Sequence, residues 1–350
     1  MKIGLISPYA FSAVGGVQGQ VAGLALALQQ RGHSVSVAAP SISGPVAENL
    51  LQEGISLIDG GGVIAIPANG SVAPISLNPF AAIRVRRAFA KGNFDVIHCH
   101  EPLAPVLSYG VVLAPPVPII ATYHRAGGGR LMHLLRPIRP LFGRRFSKSF
   151  AVSQAAKGFA KFVTTADPIV VFNGMDLQAL EAATPKALGD QSIFFLGRHE
   201  ERKGLAVLLA AHEQLGEGIL YIAGIGPETE QLQERFPESA SRKWLGRLSD
   251  EDKYAYLRGA AITCAPSLGG ESFGVIVLEA LAASSIAVIS ALPGYLEAAA
   301  GHALEFPPGD VSGLSAALGT ALLAAKSGEG VGSPAAREAG RAHGANWSMD

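Results

Sequence analysis

Residues 262–280 read ITCAPSLGGESFGVIVLEA and contain the signals of a strand, a turn and a helix in succession. Ile262–Ala265 predicts a short buried strand, and Gly269 and Gly270 permit a tight turn before the apolar helical stretch. Backbone amides in such a turn, at the positive end of a helix dipole, favour an anionic ligand. The stretch therefore predicts one strand-to-helix unit of a parallel α/β sheet, with a ligand at the carboxyl edge.

Two carboxylates flank this turn, Glu271 at its mouth and Glu279 eight residues later, two turns into the predicted helix. One carboxylate can hold sugar hydroxyls and the other a ribose diol. In the alternative, Glu271 only caps the helix and Glu279 forms a buried ion pair.

The same alternation of short apolar runs and helical patterns extends through both halves of the chain and predicts parallel sheets of the α/β class. In the first half it predicts a helix over Val17–Gln30 and strands at Ile3–Ile6, Ser34–Ala38, Val96–Cys99 and Ile119–Tyr123. In the second half it predicts strands at Ile169–Phe172, Ile193–Leu196, Leu220–Ala223, Ile262–Ala265 and Ala287–Ser290. Because 350 residues exceed one hydrophobic core, we expect two Rossmann-like domains, 1–166 and 167–350.

Composition excludes several other classes of protein. Apolar residues make up 49% and charged residues 16%, as in a compact globular chain. The first apolar run is too short for a secretory signal or a membrane span, which predicts a cytoplasmic protein. Cys99 and Cys264 stand far apart without metal-ligand neighbours, so neither a disulfide framework nor a metal site is expected.

The zero net charge conceals a division between the two halves. Residues 1–166 carry a net charge of +10 and residues 167–350 a net charge of −10. Between Pro102 and Ala166 there are nine lysines and arginines and no acid. Such a field favours an anionic partner on the N-terminal half.

Two further turns carry groups suited to phosphates. Arg198 and Lys203 follow a predicted strand, where fixed cations can neutralise a diphosphate, although the same residues also suit a solvated loop. Gly15 and Gly16 precede the first long helix, where they permit either phosphate binding or a plain tight turn. No G-x-G-x-x-G pattern is present in the sequence, which argues against a dehydrogenase.

Taken together, these motifs resemble the retaining glycosyltransferases of family 4, which have the GT-B architecture of two facing Rossmann-like domains. The resemblance covers nearly the whole chain. It is carried by Gly15-Gly16, Thr122-Tyr123-His124, Asn173-Gly174-Met175-Asp176, Gly197-Arg198 with Lys203-Gly204, and the pair Glu271 and Glu279.

The resemblance implies roles for individual residues in binding a nucleotide-sugar donor. Arg198 and Lys203 would hold the diphosphate, Glu271 the sugar and Glu279 the ribose. The strand end that carries Gly224 and the segment 248–253 would frame the base. The full implied donor set is Gly16, Arg198, Lys203, Asp250, Lys253, Glu271, Ser272, Phe273, Gly274 and Glu279. His124 and Glu271 would act at the reacting centre, without a protein nucleophile, a bound cofactor or a metal. From the residues alone, a histidine such as His124 at a strand end is also compatible with a structural role.

Within the family the sequence is most similar to the phosphatidyl-myo-inositol mannosyltransferases, through Pro8-Tyr9, Gly15-Gly16-Val17-Gln18, Asn69-Gly70-Ser71-Val72 and His100-Glu101-Pro102. This similarity implies acceptor contacts at Tyr9, Gln18, Asn69 and Arg130. Two departures concern the acceptor: Ser12 replaces the usual acid before the glycine pair, and residues 125–130 replace a loop rich in serine and threonine.

Residues 78–91 predict an amphipathic helix in which Arg84, Arg87 and Lys91 share one face and Arg86 lies nearby. Such a stripe can lie on an anionic bilayer, each cation contributing about 1 kcal/mol, or it can be an ordinary solvated face.

We therefore expect transfer of mannose from GDP-mannose to phosphatidyl-myo-inositol at the cytoplasmic face of the membrane, with no nucleic-acid partner. The alternatives are a family 4 enzyme that uses a UDP-sugar and a soluble acceptor, a nucleotide-sugar epimerase, or a binding protein without activity. Asn346-Trp347-Ser348 resembles the motif that precedes the last helix in this family, so we also expect that the crossover helix is missing after Asp350.

Overall fold

The computed structural model describes residues 1–12, 15–68, 71–104, 106–113, 117–125, 144–165 and 167–348. The chain divides into two compact units, with the boundary in the sequence between Asn173 and Gly174.

The first unit is built on a parallel sheet. Its strands are β1 (Lys2–Ile6), β2 (Ser34–Ala39), β3 (Ser56–Asp59), β4 (Ile64–Ala68), β5 (Ser71–Ile75), β6 (Val96–His100), β7 (Ile119–Tyr123), β8 (Lys148–Ala151) and β9 (Ile169–Val170). Its described helices are α1 (Gly16–Gln30), α2 (Pro45–Gln52), α3 (Pro79–Lys91), α4 (Tyr109–Val112) and α5 (Gln154–Val163). The sheet order within the described residues is β3-β2-β1-β6-β7-β8-β9, and β4 and β5 form a separate antiparallel hairpin.

Both faces of this sheet are buried. Side chains alternate along a strand, so Ile3 and Leu5 of β1 enter the core that contains Val21 of α1, whereas Ile6 enters the core that contains Phe89 of α3. Coverage of both faces explains why the central strands are almost continuously apolar.

The second unit repeats this plan. Its strands are β10 (Ser192–Leu196), β11 (Ile219–Ala223), β12 (Arg242–Gly246), β13 (Ile262–Ala265), β14 (Ile286–Ser290) and β15 (Ala303–Phe306). Its helices are α6 (Leu177–Ala182), α7 (Leu205–Leu215), α8 (Thr229–Arg235), α9 (Asp250–Gly259), α10 (Val275–Ala282), α11 (Pro293–Ala299), α12 (Val311–Ser327) and α13 (Pro334–Ala345). The strands pair in parallel in the order β12-β11-β10-β13-β14-β15.

In the first sheet, β2 and β3 are added on one side of β1, and the chain then crosses to the other side with β6. In the second sheet, β11 and β12 are added on one side of β10, and the chain crosses to the other side with β13. Loops that leave the carboxyl ends of two such strands diverge and leave a crevice, where ligands bind in open α/β sheets. Motifs found in the sequence follow β1, β6, β10 and β13, so the topology places them at these crevices, and Thr122-Tyr123-His124 lies at the end of β7, next to β6.

One strand assignment is wrong. We predicted that Ile169–Phe172 opens the second sheet, but the strand is Ile169–Val170 and pairs in parallel with β8 of the first sheet. The N–H of Val171 also donates to the carbonyl oxygen of Ala151, so the chain remains hydrogen-bonded to the first unit beyond Pro168. Proline removes one backbone donor but does not prevent pairing of the residues after it, because an edge strand needs a partner on one side only.

Candidate active site

The loops after β10 and β13 lie side by side because these two strands are neighbours in the sheet. Gly204 makes their close approach possible: its φ is 69°, and a Cβ at this position would lie 1.9 Å from the carbonyl oxygen of Pro266. The N–H of Leu268 donates to the carbonyl oxygen of Arg202 at 2.7 Å and ties the two loops together. Lys203 and Glu271, which are 68 residues apart in the chain, are thereby brought into contact.

Glu271 is the centre of a dense polar cluster. Its Oε1 accepts hydrogen bonds from Lys203 Nζ at 2.6 Å, from Arg202 Nη1 at 3.1 Å and from Ser267 Oγ at 3.1 Å. Burial alone raises the pKa of Glu271, but the charges and hydrogen bonds of Lys203 and Arg202, with Ser267, hold it below the ordinary value. Glu271 is therefore an anion at neutral pH and can accept hydrogen bonds from hydroxyl groups.

Sequence analysis missed Arg202, although it lies between the predicted cations Arg198 and Lys203. Its guanidinium bridges Glu200 Oε1 at 2.6 Å and Glu271 Oε1 at 3.1 Å, and its side chain is only 23% exposed. Arg198 lies 3.6 Å from the same Glu200 but keeps 44% of its side chain exposed. Arg198 is therefore the more available of the two cations for a ligand, and Arg202 fixes the carboxylates around it.

Glu279 pairs with Lys253, whose Nζ lies 3.1 Å from Glu279 Oε1. Burial opposes the charge on Lys253, but Glu279, Tyr254 and Asp250 outweigh burial and raise the pKa of Lys253. The ion pair that was the alternative to a binding role for Glu279 is thus present, and its partner is another residue of the predicted donor set. Asp250 lies 3.7 Å from Lys253 Nζ with 93% of its side chain exposed, so its carboxylate is open to a ligand.

The loop between Glu271 and α10 contains a buried residue, Phe273, and a half-buried one, Ser272. Phe273 is buried, with its ring centroid 6.3 Å from that of Trp347, so its predicted donor contact would have to come from its backbone. Gly274, at φ 93°, allows the ring of Tyr295 to approach, since a Cβ there would lie 2.3 Å from it. Ser272 is half-buried beside these residues. The helix α10 begins immediately afterwards, so its amino terminus points towards the predicted anion-binding turn.

In the first unit, three histidines lie along β6 and at the end of β7. His100 Nδ1 lies 2.8 Å from His124 Nε2, and His98 Nε2 lies 2.7 Å from Thr122 Oγ1. Burial lowers the pKa of His98 to about 4, and burial together with the charge of His98 lowers the pKa of His124 to about 3. These rings are therefore neutral at pH 7. Among the described residues no group of three or more His, Cys, Asp or Glu side chains has the geometry to hold a metal ion.

Glu101 holds the backbone next to His124. Its Oε1 accepts from the backbone N–H of His124 and, at 2.5 Å, from that of Arg125. Burial raises the pKa of Glu101, and the two backbone hydrogen bonds and the charge of Arg125 oppose this rise. Tyr9 belongs to the same electrostatic environment, because burial and the charge of Glu101 both raise the pKa of its phenol.

The remaining predicted residues of the N-terminal half are the donor residue Gly16 and the acceptor residues Gln18, Asn69 and Arg130. Gly16 begins α1, and the side chain of Gln18 is buried and donates to the carbonyl oxygen of Ala10 at 3.3 Å. Asn69 and Arg130 lie outside the residues that the structure describes.

Comparison with known proteins covers both units. Residues 14–179 match the family model described as Glycosyltransferase Family 4, and residues 190–323 match Glycosyl transferases group 1. The phosphatidyl-myo-inositol mannosyltransferase of Mycolicibacterium smegmatis is 36% identical over 91% of this chain and 84% of that protein. That of Propionibacterium freudenreichii is 34% identical over 85% of this chain and 79% of that protein. The chain belongs to glycosyltransferase family 4.

Solved structures show the same fold for this family 4 glycosyltransferase. A glycosyltransferase from Rickettsia africae superimposes with a TM-score of 0.78 at 19% identity, covering 99% of this chain and 94% of the other. The Anabaena protein HepE, solved in complex with UDP-glucose, gives a TM-score of 0.78 at 18% identity, covering 99% and 96%. The predicted α/β fold of the GT-B class is thereby confirmed.

The helix predicted to carry the membrane stripe of this glycosyltransferase is α3. Its buried face is formed by Ala81, Ala82, Val85 and Phe89, and Arg84, Arg86, Arg87 and Lys91 are exposed. Phe80 is 75% exposed, an unusual value for a large apolar side chain, and Ile83 is 45% exposed. Arg84 forms an ion pair with Asp59, in which its Nη2 lies 3.2 Å from Asp59 Oδ2. Among the described helices, none is long and apolar enough to span a membrane.

Proposed function

We propose that this family 4 glycosyltransferase transfers mannose from GDP-mannose to phosphatidyl-myo-inositol, with retention of anomeric configuration, at the cytoplasmic face of the membrane. The observation that carries the proposal is the similarity, at 34–36% identity over most of the chain, to proteins named phosphatidyl-myo-inositol mannosyltransferase. The geometry of the polar loops agrees with this chemistry.

The donor diphosphate is assigned to Arg198 and Lys203. When the glycosidic bond breaks, negative charge increases on the leaving diphosphate, and fixed cations stabilise that charge without further rearrangement. Arg198 supports the assignment by its exposed guanidinium, and Lys203 by its place in the charged cluster around Glu271. The amino terminus of α10 adds a favourable dipole for the same anion.

The sugar and ribose are assigned to the two carboxylates. The lowered pKa of Glu271 keeps it ionised, so it is a charged acceptor for hydrogen bonds from sugar hydroxyls. Glu279 pairs with Lys253, and a carboxylate oxygen has capacity for more than one donor.

The preference for guanine over uracil is assigned to Asp250. Guanine presents two parallel N–H donors on one edge, which a single carboxylate can accept in a bidentate manner, whereas uracil presents one N–H between two carbonyls. The exposed carboxylate of Asp250, beside Lys253, supports this assignment.

The acceptor is assigned to the first unit, where Tyr9 follows β1 and His124 follows β7, the two strands on either side of β6. The net charge of +10 over residues 1–166 favours an anionic phosphoinositide. The exposed Phe80 and Ile83 beside the cations of α3 support binding to the surface of an anionic bilayer, because an apolar side chain can enter the acyl boundary while the cations remain at the headgroups. His124 would contact the reacting groups as a neutral ring.

A transfer assay tests the proposal. The full chain is incubated with radiolabelled GDP-mannose and vesicles that contain phosphatidylinositol, and radioactivity is measured in the extracted lipid. Vesicles of phosphatidylglycerol, equally anionic but without inositol, are the control. Labelled lipid only with phosphatidylinositol supports the proposal. Transfer from a UDP-sugar to soluble inositol phosphate would replace it with the soluble-acceptor alternative, and a free sugar-nucleotide isomer formed without acceptor would indicate an epimerase.

A further inference from the structure

His100 contacts His124 in a way that restricts its ring. Nδ1 of His100 lies 2.8 Å from Nε2 of His124, in an edge-to-edge arrangement with the ring planes at 25° and the centroids 5.1 Å apart. His98 stacks in turn on His100 with a centroid separation of 4.2 Å. His100 therefore contacts His124 through one hydrogen bond between ring edges, and its own ring packs against the ring of His98.

The backbone of His124 is restricted as well. Glu101, the residue after His100, accepts the backbone N–H of His124 and that of Arg125 with the same carboxylate oxygen. Glu101 is buried and has a φ of 43°, a backbone conformation that residues other than glycine seldom adopt. The end of β6 thus holds both the ring and the backbone of His124.

The hydrogen bond between the two rings allows two proton arrangements. A neutral imidazole has one N–H donor and one acceptor nitrogen, so either His100 or His124 is the donor. The other ring nitrogen of His100, Nε2, is buried and has no hydrogen-bond partner in the described part of the chain. If His124 were the donor, that Nε2 would carry a buried and unpaired N–H. Folded proteins leave buried N–H groups unpaired less often than buried acceptors, so His100 is favoured as the donor.

We propose that His100 is a positioning residue that donates its Nδ1–H to Nε2 of His124 and so holds His124 in the Nδ1–H tautomer. His124 then presents a hydrogen-bond donor, not a basic nitrogen, to an oxygen of the acceptor. This inference rests on the role proposed above for His124. It agrees with a reaction in which the leaving phosphate, and not a histidine, takes the acceptor proton.

The tautomer is measured directly in the full chain labelled with 15N histidine. Long-range 1H–15N correlation spectra separate the Nδ1–H and Nε2–H forms, and the spectrum of His124→Gln assigns the His124 signals. His100→Asn places an amide near the position of Nδ1, and His100→Gln places its amide near the position of Nε2. We expect the Nδ1–H form of His124 in the wild type and in His100→Asn, and the commoner Nε2–H form in His100→Gln. His212, in the second unit, provides a reference signal that stays unchanged.

Turnover provides the second measurement. We expect His100→Gln to lower kcat about tenfold or more, as for loss of one buried hydrogen bond, with little change in KM for the sugar nucleotide, and His100→Asn to recover most of the loss. An Nε2–H form in the wild type, or an unchanged tautomer in His100→Gln, overturns the proposal. If the tautomer changes as expected but both His100→Gln and His124→Gln retain full transfer, the pairing stands and the role proposed for His124 is wrong.

Discussion

The ammonium nitrogen of Lys203 lies 2.6 Å from Oε1 of Glu271, so the cation assigned to the donor diphosphate also neutralises the carboxylate assigned to the sugar. Both side chains are mostly buried, with exposed fractions of 22% and 11%. A diphosphate that binds Lys203 therefore competes with Glu271 for the same charge, which leaves Glu271 freer to accept hydroxyl hydrogen bonds.

This coupling predicts that Lys203→Ala lowers GDP affinity whereas Glu271→Gln lowers turnover. Lys203→Ala removes a charge-assisted contact and should weaken binding of GDP by about 1.5–3 kcal/mol. Glu271→Gln frees Lys203, so affinity for GDP should be maintained while kcat falls by about 10²-fold. Calorimetry with GDP and steady-state transfer rates measure the two effects. Lys243→Ala, a change of the same kind away from the cluster, is the control. Weaker GDP binding in Glu271→Gln together with normal turnover would assign Glu271 a structural role.

Substitution of the two arginines on either side of Glu200 should affect different properties, the stability of the second unit for Arg202 and GDP affinity for Arg198. Arg202→Ala leaves the buried Glu200 and Glu271 without their shared partner and should lower the free energy of unfolding of the second unit by about 1–3 kcal/mol. Arg198→Ala removes a half-exposed cation and should change stability by about 0.5 kcal/mol or less, but should weaken GDP binding. Trp244 and Trp347 both lie in the second unit, so tryptophan fluorescence during urea unfolding reports on it selectively. Equal stability of the two variants would contradict the bridging role of Arg202.

The buried histidines predict that the first unit loses stability in mild acid. The pKa of His98 is lowered to about 4 and that of His124 to about 3, from an ordinary value of 6.5. Below pH 6.5 the unfolded chain therefore binds protons that the folded chain does not, so stability is fully present above pH 6.5 and decreases towards the folded pKa values. The expected slope is about 1.4 kcal/mol per pH unit for each histidine. Hydrogen exchange of amides in β6 and β7, corrected for the intrinsic effect of pH, measures the slope. His98→Asn should reduce it by about one proton, and an unchanged slope would show that His98 is not responsible.

The exposed face of α3 predicts binding to anionic vesicles that depends on charge. Since Arg84 is paired with Asp59, the informative change is Arg87→Glu with Lys91→Glu, which leaves that ion pair intact. Loss of two cations should cost about 2 kcal/mol of vesicle binding at low salt, and reversal of their sign more than that. Vesicle sedimentation measures the effect, and Lys243→Glu with Lys326→Glu, the same charge change in the second unit, is the control. Phe80→Ser should weaken binding without changing its salt dependence. Equal losses in the control pair would indicate a general effect of net charge.

Much of the fold follows from local patterns. Central strands such as β1, β10 and β13 are buried on both faces, so their apolar runs are continuous and visible in the sequence. The edge strands β3 and β12 were not predicted, because a strand with one partner tolerates polar residues, as in Arg242-Lys243-Trp244. The pairing of Ile169–Val170 with the first sheet could not be predicted either, because a strand pairs with residues that are distant in the sequence.

The sequence by itself determined the chemical types at each turn: cations after β10, a glycine turn with two glutamates around β13 and α10, and a histidine after β7. Only the tertiary structure decided which of these groups meet. Lys203 and Glu271, 68 residues apart, and His100 and His124, 24 residues apart, come into contact because parallel strands bring their carboxyl ends to one edge of a sheet. Arg202 was missed for the same reason. Its ion pair with Glu271 joins two loops that are far apart in the chain and could not be predicted from the residues next to Arg202. Spacing along a chain predicts local geometry, but the partner of a side chain depends on the order of the strands.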